Sequence, residues 1–465
     1  MKKLIVLALV TVVLLFITGC PAIGPGSPPE YSVCNPSMLP DGSGGVIVAY
    51  QVNRGNSSSI YLQRLGTDGA CRWDDNGLEL STTQWGFLGS GNIECASLVS
   101  DGEGNVIAVY PSMDGLKARK LDMSGSSIWL NAEVTVFTGR TLPGEFKAAS
   151  DNSAGVIATR STQDGIELQR IDGDGNLTWN TNIPAEVDRF DIAVDASGST
   201  YVIWKDRPPY STGDIFIQMV DVDGTITWPT GGLRLTDDEN PGYRGGSFDH
   251  RLISDGNGGV MCTWSEAIHS EDKRLIIGQR LYAQRINRVG EILWESGGVL
   301  VSDREWLEGL NIIEGDPGYI LIVWGDINRI YGQKLDLLGN RTWFGDGPEI
   351  LLTDNIMYYS VISDGDGGAV VVWNYSEDED TYLYAKRMNS DGFNLWGDEG
   401  IKLSIAPPYW SEYSVPARIS SDSAGGFVIS WASGEKLKER ASSYIQRVSV
   451  EGDLLWGEKG IKLGP

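Results

Sequence analysis

Histidine is almost missing from this chain of 465 residues; His250 and His269 are the two it has. General acid–base chemistry and transition-metal sites both draw first on imidazole, so this scarcity turns the reading away from both. Cysteine is scarce as well. Cys20, Cys34, Cys71, Cys95 and Cys262 show no C-x-x-C spacing, which argues against a thiolate metal centre. Positive charge is outweighed, with 37 Lys and Arg against 62 Asp and Glu and a net charge of −25. Neutralising a phosphate backbone takes clustered Lys and Arg, so nucleic acid is excluded as a partner, and so is a basic patch on anionic lipid. The apolar run from Leu4 to Phe16, at 13 residues, is too short to cross about 30 Å of hydrocarbon. No cofactor or metal is implied.

What is abundant is glycine, 59 residues, and tryptophan, 16 residues, and both fall largely at fixed places in a repeat. The clearest copies are SDGDGGAVVVW (363–373) with LYAKRMNSDGFNLWGDEGIKL (383–403), and SDSAGGFVISW (421–431) with YIQRVSVEGDLLWGEKGIKL (444–463). The tryptophans that end the units are Trp73, Trp129, Trp179, Trp228, Trp294, Trp343, Trp396 and Trp456, spaced 49 to 66 residues apart. A period of this size marks a propeller, solenoid or array, because one unit cannot bury its own faces. A prior of about three domains from length alone therefore gives way to one continuous body.

Each unit reads as four short strands, a to d. Strand a runs into a Gly-rich turn at Asp41, Asp101, Asp151, Asp195, Asp255, Gly315, Asp364 or Asp422. Aspartate bonding its own backbone and glycine accepting positive φ make D-G-x-G-G a tight hairpin. Strand b is nearly all apolar, which suits burial on both faces, and closes on Tyr50, Tyr110, Trp204, Trp264, Trp324, Trp373 or Trp431, with Arg160 in the third copy. Strand c carries a Gln-Arg pair such as Gln284-Arg285, and a turn with a near-constant glycine leads into strand d and its tryptophan. Eight units of four antiparallel strands predict an all-β, eight-bladed β-propeller over 31–463. The chain enters at a strand a and leaves after a strand d, so no blade is split and blade 8 closes the ring by packing on blade 1.

The N-terminus reads as an export signal: Lys2 and Lys3, the short apolar run, then Ile17-Thr18-Gly19-Cys20. Those last four residues resemble a bacterial lipobox, which implies a signal peptide over 1–19 and lipid on Cys20. Residues 20–30, PAIGPGSPPE after the cysteine, are a Pro- and Gly-rich tether. By analogy with diderm bacteria, Pro21 after the cysteine points to the outer membrane or cell surface. Export makes a Cys34–Cys95 disulfide one option for the first two repeats, and buried free thiols the other.

The G-x-x-x-W motif after a strand resembles the tryptophan-docking repeat of quinoprotein dehydrogenases and of the propeller lipoprotein in the outer-membrane barrel-assembly machinery. The fuller D-x-x-G-G…W…Y-x-Q-R-x…G…W-G-x-x-G pattern looks like repeats in large secreted bacterial proteins. The likeness covers roughly 31–463 and speaks to fold, since fold does not fix function. The adjacent cysteine pair usual in quinoproteins has no counterpart here, and the S-x-D-x-G-x-x-W box of sialidases is matched only loosely, with its tryptophan displaced.

Function is expected where the repeat varies. The a–b and c–d turns are short and regular; the b–c and d–a loops, on the opposite face, differ in length and content, and variable loops on a rigid scaffold carry binding. Three tryptophans outside the repeat positions, Trp85, Trp306 and Trp410, fall in d–a loops, beside Phe87, Tyr358, Tyr359, Tyr409 and Tyr413. Such rings either stack on sugars or grip an apolar peptide, or they cap blade ends as local core. The acidic runs 237–239 and 377–380 read as solvated loops, and Asp172-Gly-Asp174-Gly-Asn176 as turn chemistry, since it lacks the glycine and distal glutamate of a calcium loop. Asp249, His250 and Arg251 form the best polar cluster, at a loop-to-strand junction; Asp249 and His250 join the ligand-binding candidates, although a lone His at a strand start is more often structural. The expectation is a monomeric, membrane-anchored envelope protein, binding rather than catalytic, with a polysaccharide or envelope protein as partner. An envelope-assembly scaffold in the periplasm is the alternative, and a two-carboxylate polysaccharide hydrolase or lyase the third.

Overall fold

The computed structural model describes residues 36–54, 57–74, 77–84, 95–141, 145–206, 213–236, 249–270, 276–304, 307–326, 328–343, 347, 349–352, 356–377, 380–403, 417–434 and 441–463. Its 32 strands form eight four-stranded sheets, each antiparallel and each in simple chain order. The a strands are Ser37–Pro40, Ser97–Ser100, Phe146–Ser150, Val187–Val194, His250–Ser254, Glu308–Glu314, Ile356–Ser363 and Arg418–Ser421. Each touches the a strand of the blade before and after it, and the last touches the first, so the ring is closed around an axis that these strands line. No strand is exchanged at the seam. This is the eight-bladed propeller.

The core lies between blades rather than inside them. Eight hydrophobic clusters occupy the eight blade interfaces, and the cluster at the seam joins Val46, Val48 and Tyr50 to Val428, Ile445 and Trp456. A radial sheet has a neighbour on each face, which explains why strand b is apolar without alternation. Its aromatic stacks on a ring of strand c in most blades, as in Trp264–Tyr282, Trp324–Tyr331 and Trp431–Tyr444, at centroid distances of 5.9 to 6.0 Å. Strand b continues past that aromatic, to His269 and Glu377 for example, so it does not close there.

One expectation about the repeat needs correcting. Strand d follows the tryptophan instead of containing it: the d strands Leu78–Gln84, Val299–Ser302 and Ile461–Leu463 begin after Trp73, Trp294 and Trp456. Trp179, within Leu177–Ile183, is the exception. The reason lies in what the indole does. In all eight blades its Nε1–H donates to a carbonyl in the c–d turn of the next blade, from Trp73 to Met123 O (3.2 Å) round to Trp456 to Thr67 O (3.0 Å). A residue reaching sideways to the neighbouring blade leaves its own ladder, where only an isolated bridge such as Leu65↔Cys71 remains.

The Gln-Arg pair supports this detour. Gln284 accepts the Trp294 N–H at 3.1 Å and donates to Glu295 O at 2.8 Å, holding the tryptophan segment where ladder bonds are missing. Arg285 turns the other way, its Nε donating to Asp255 Oδ2 at 2.9 Å and its Nη1 to Leu337 O of the next blade. Asp255 Oδ1 meanwhile accepts the N–H groups of Asn257 and Gly259, shaping the a–b hairpin. Arg64–Asp41, Arg170–Asp151, Arg387–Asp364 and Arg447–Asp422 repeat the pair, and Lys120–Asp101 and Lys334–Asp316 substitute for it. Asp172 Oδ1 accepts the N–H groups of Asp174 and Asn176, which is turn geometry. Cys95 and Cys262 carry free, buried thiols, so the disulfide option for Cys95 is not taken.

Candidate functional site at the mouth of the axial channel

The a strands enter the ring from the face that carries the b–c and d–a connections. Their register on strand b lets residues be compared around the axis. The position paired with the residue just before each strand-b aromatic (Arg160 in blade 3) reads Ser37, Ser97, Lys147, Asp191, Arg251, Asn311, Ser360 and Arg418 from blade 1 to blade 8. Three cations and one carboxylate thus stand in one row near the channel mouth, in a chain whose net charge is −25. A cavity of about 340 Å³ opens there, lined by Ser37, Arg251, Asn311, Tyr359, Ser360 and Arg418 among others. That volume falls at the lower end of small-ligand sites.

Arg251 is the best-defined group of the row. Its Nη1 donates to Asp249 Oδ1 at 2.6 Å and to His250 O at 2.7 Å. Both bonds use one nitrogen, so the Nε–Nη2 edge of the guanidinium has no protein partner among the described residues. Burial works against the charge of Arg251, but Asp249 and Asp191 outweigh it and hold the side chain cationic. Lys147 approaches Asp191 at 3.8 Å.

His250 is 1% exposed, and its Nδ1 has no hydrogen-bond partner. Burial, and then the positive charges of Arg251, Arg189, Lys205 and Lys147, push its pKa down to about 3, so the imidazole is neutral near pH 7. The sequence reading grouped His250 with Asp249 as ligand-facing. The structure buries the ring and puts the next residue, Arg251, at the cavity, because successive side chains of a strand point to opposite sides. Asp249 precedes the strand and is held by its own geometry: its N–H meets Ser265 Oγ at 3.2 Å while its carboxylate takes Arg251.

Tyr358 and Tyr359 were expected in a d–a loop; both lie instead in the a strand Ile356–Ser363. The pairing of that strand slips between Ile356 and Tyr359, and the a strand of blade 6 slips between Glu308 and Asn311. Bulges gather beside functional sites, where they re-aim side chains. Here they bring the Tyr359 hydroxyl to Gly309 O, 2.6 Å away, across the blade 6–blade 7 boundary. Gly309 has φ of +64°, and a β-carbon there would come within 2.7 Å of the Tyr359 ring. Trp85, Phe87, Trp306, Tyr409, Trp410 and Tyr413 lie outside the described residues, as do Cys20, Cys34 and Asp237 to Glu239. Among the described residues no group of three His, Cys, Asp or Glu is placed to hold a metal ion.

Arg418, Lys147, Asp191 and Asn311 escaped the sequence reading. A signal was present: every member of the row stands four residues before the Asp, or the Gly315, that starts the a–b hairpin. Aligning on that turn exposes charged residues where a strand near the axis needs none.

No protein-family model matches the chain, and no curated protein is significantly similar to it. Among solved structures it is similar to a crystal structure of the eukaryotic initiation factor, at 9% identity and a TM-score of 0.44, over 92% of this chain and 89% of that one. It is also similar to an ulvan lyase of a polysaccharide lyase family, at 12% identity and a TM-score of 0.42, over 92% and 96% of the two chains. Prolyl oligopeptidase B from Galerina marginata matches at 12% identity and 0.43 over 94% of this chain, which spans 52% of that protein's length.

Proposed function

We propose that the chain is a lipid-anchored protein of the bacterial envelope whose propeller binds a polysaccharide or protein partner, without catalysis, through the face bearing the b–c and d–a connections. The observation that carries this reading is the polar cavity at the channel mouth, on the face where the variable connections gather. The titratable groups beside it are arranged for binding rather than proton transfer. Asp249 is committed to Arg251, and a histidine held near pKa 3 is too weak a base for general catalysis. Lipid on Cys20 supplies location, the closed ring supplies rigidity, and the loop aromatics supply contact area. Strand a of blade 1 starts at Ser37, beside the cavity.

The test is a capture screen of the full-length protein, in detergent, against envelope polysaccharides and envelope proteins. Retention of a partner that is lost when Trp85, Trp306 and Trp410 are replaced together by Ala, with the unfolding midpoint unchanged, supports the reading. A fall in midpoint assigns those indoles to blade capping, and turnover of a polysaccharide replaces binding with an enzyme. An assembly-scaffold role is favoured by a different observation: Val289, Leu338, Phe393 and Val450 stand exposed at or beside the c–d turns of four consecutive blades. That reading expects co-purification with a membrane complex and protection from protease applied to intact cells.

A further inference from the structure

We propose that the axial cavity is an anion site, in which Arg251 and Arg418 take the carboxylate of a uronic-acid sugar at the end of an acidic glycan. The inference rests on the binding role proposed above and names the chemistry of its ligand. Three features of the cavity converge on it.

The first is charge. The row at the mouth holds Lys147, Arg251 and Arg418 against Asp191, with Asp249 beside Arg251. At physiological salt, charges beyond roughly 8 Å are screened, so a ligand inside the cavity meets Arg251 and Arg418, which line it, rather than the net −25 of the whole chain.

The second is geometry. In the structural pairs of the repeat the guanidinium spends its Nε and Nη2 on a carboxylate: Arg285 and Arg447 each place both on one aspartate oxygen at 2.8 to 2.9 Å. Arg251 instead bonds Asp249 and the His250 carbonyl through Nη1, keeping the Nε–Nη2 fork open. That fork matches the spacing of two carboxylate oxygens. Its side chain is 38% exposed although it lines a concave wall, so a ligand can reach it.

The third is what surrounds the arginines. Asn311, Ser37 and Ser360 offer amide and hydroxyl groups, and the half-buried Tyr359 offers a ring. Sugars use such a mixture, hydrogen bonds from their hydroxyls and one apolar face on an aromatic. A peptide anchor wants a deeper apolar pocket. A cavity of about 340 Å³ walled by a strands admits the end of a chain rather than its middle.

The experiment measures affinity of the full-length protein for a short oligogalacturonate, for its methyl ester, and for an acidic peptide of equal charge. The free acid is expected to bind, with affinity falling as salt rises, and the ester to bind at least tenfold more weakly. Arg251→Gln and Arg418→Gln should each weaken the acid by roughly tenfold or more, and Arg418→Lys should restore part of it. Asp249→Asn, which removes the carboxylate competing for Arg251, should tighten binding, an outcome that mere misfolding cannot mimic. Equal affinity for acid and ester, or no effect of either arginine change in protein with wild-type circular dichroism, overturns the anion site while leaving the binding role intact. Preference for the peptide overturns the glycan assignment. Failure of the free acid to bind while a neutral glycan or an envelope protein is captured overturns the inference alone; failure of every ligand overturns both it and the proposed role.

Discussion

Glycine at the c–d turn shows how much a single position can carry. Gly224 has φ of +84° and its absent β-carbon would meet the Trp179 ring at 2.7 Å, so both backbone hand and space demand glycine. Gly365, at φ +82° in an a–b hairpin, has nothing within 4 Å. The two separate strain from crowding. Gly365→Ala should cost about 1–2 kcal/mol, the left-handed penalty alone. Gly224→Ala should cost at least twice that, because the indole that bonds Val222 O of the neighbouring blade must move. Urea unfolding of the two variants checks the difference; equal losses would mean that the tryptophan contact contributes nothing. Arg251 and Arg387 make the matching contrast among arginines. Arg387 is 8% exposed and bonded to an Asp364 carboxylate that is 0% exposed, whereas Arg251 keeps one edge open. The same residue type serves structure in strand c and faces the cavity in strand a.

At the scale of the element, the a–b hairpin is held by a carboxylate placed at its centre. In Asp41 burial alone would raise the pKa, but the Ser43 N–H and hydroxyl, Arg64 and the Gly45 N–H outweigh it and hold it below its ordinary 3.8. Asp101 is likewise lowered, against burial, by Asn105 and then by Lys120 and Glu103. A carboxylate whose folded pKa is depressed contributes stability that is present above the unfolded value and lost as pH falls through the folded one. The urea midpoint is therefore expected to hold from neutral pH down to about 4 and to drop below it. In Asp41→Asn the midpoint should be lower than wild type at pH 6, with the gap narrowing as pH falls below about 4. A gap that stays constant would show that the hairpin bonds do not depend on the charge. Gly315 replaces the aspartate in blade 6, and there Asp316 pairs with Lys334 instead. The function moves by one residue because the ion pair, not the residue position, is what the hairpin requires.

For the whole molecule, the decisive feature is a seam closed without strand exchange. Blade 8 meets blade 1 through an ordinary interface cluster and through the Trp456 indole on Thr67 O. At the other seven boundaries a covalent d–a connection adds to the same contacts. Residue 463 ends strand d, and Ser37 begins strand a on the face where every other such connection runs. A permuted chain that joins the two by a short linker and opens in the 142–144 connection should fold. Its unfolding midpoint should equal or exceed that of the wild type, since the linker lowers the entropy of closing the ring. Failure to fold would show that the seam depends on free ends.

Much of this was legible in the chain. The period, the hairpin signals and the unbroken apolar b strands determined the blade, the number of blades and the unsplit seam, because each is a local property repeated eight times. The placement of Trp73 and its counterparts was not legible, since leaving a ladder to reach the next blade is an interaction between units. The channel mouth was half legible. Asp249 and Arg251 stood out as neighbours in sequence, yet Lys147, Asp191, Asn311 and Arg418 come from four other blades and stand 60 to 167 residues from Arg251 along the chain. Only closure of the ring brings such residues to one axis, and only strand register decides that Arg251 faces the cavity while His250 is buried beside it.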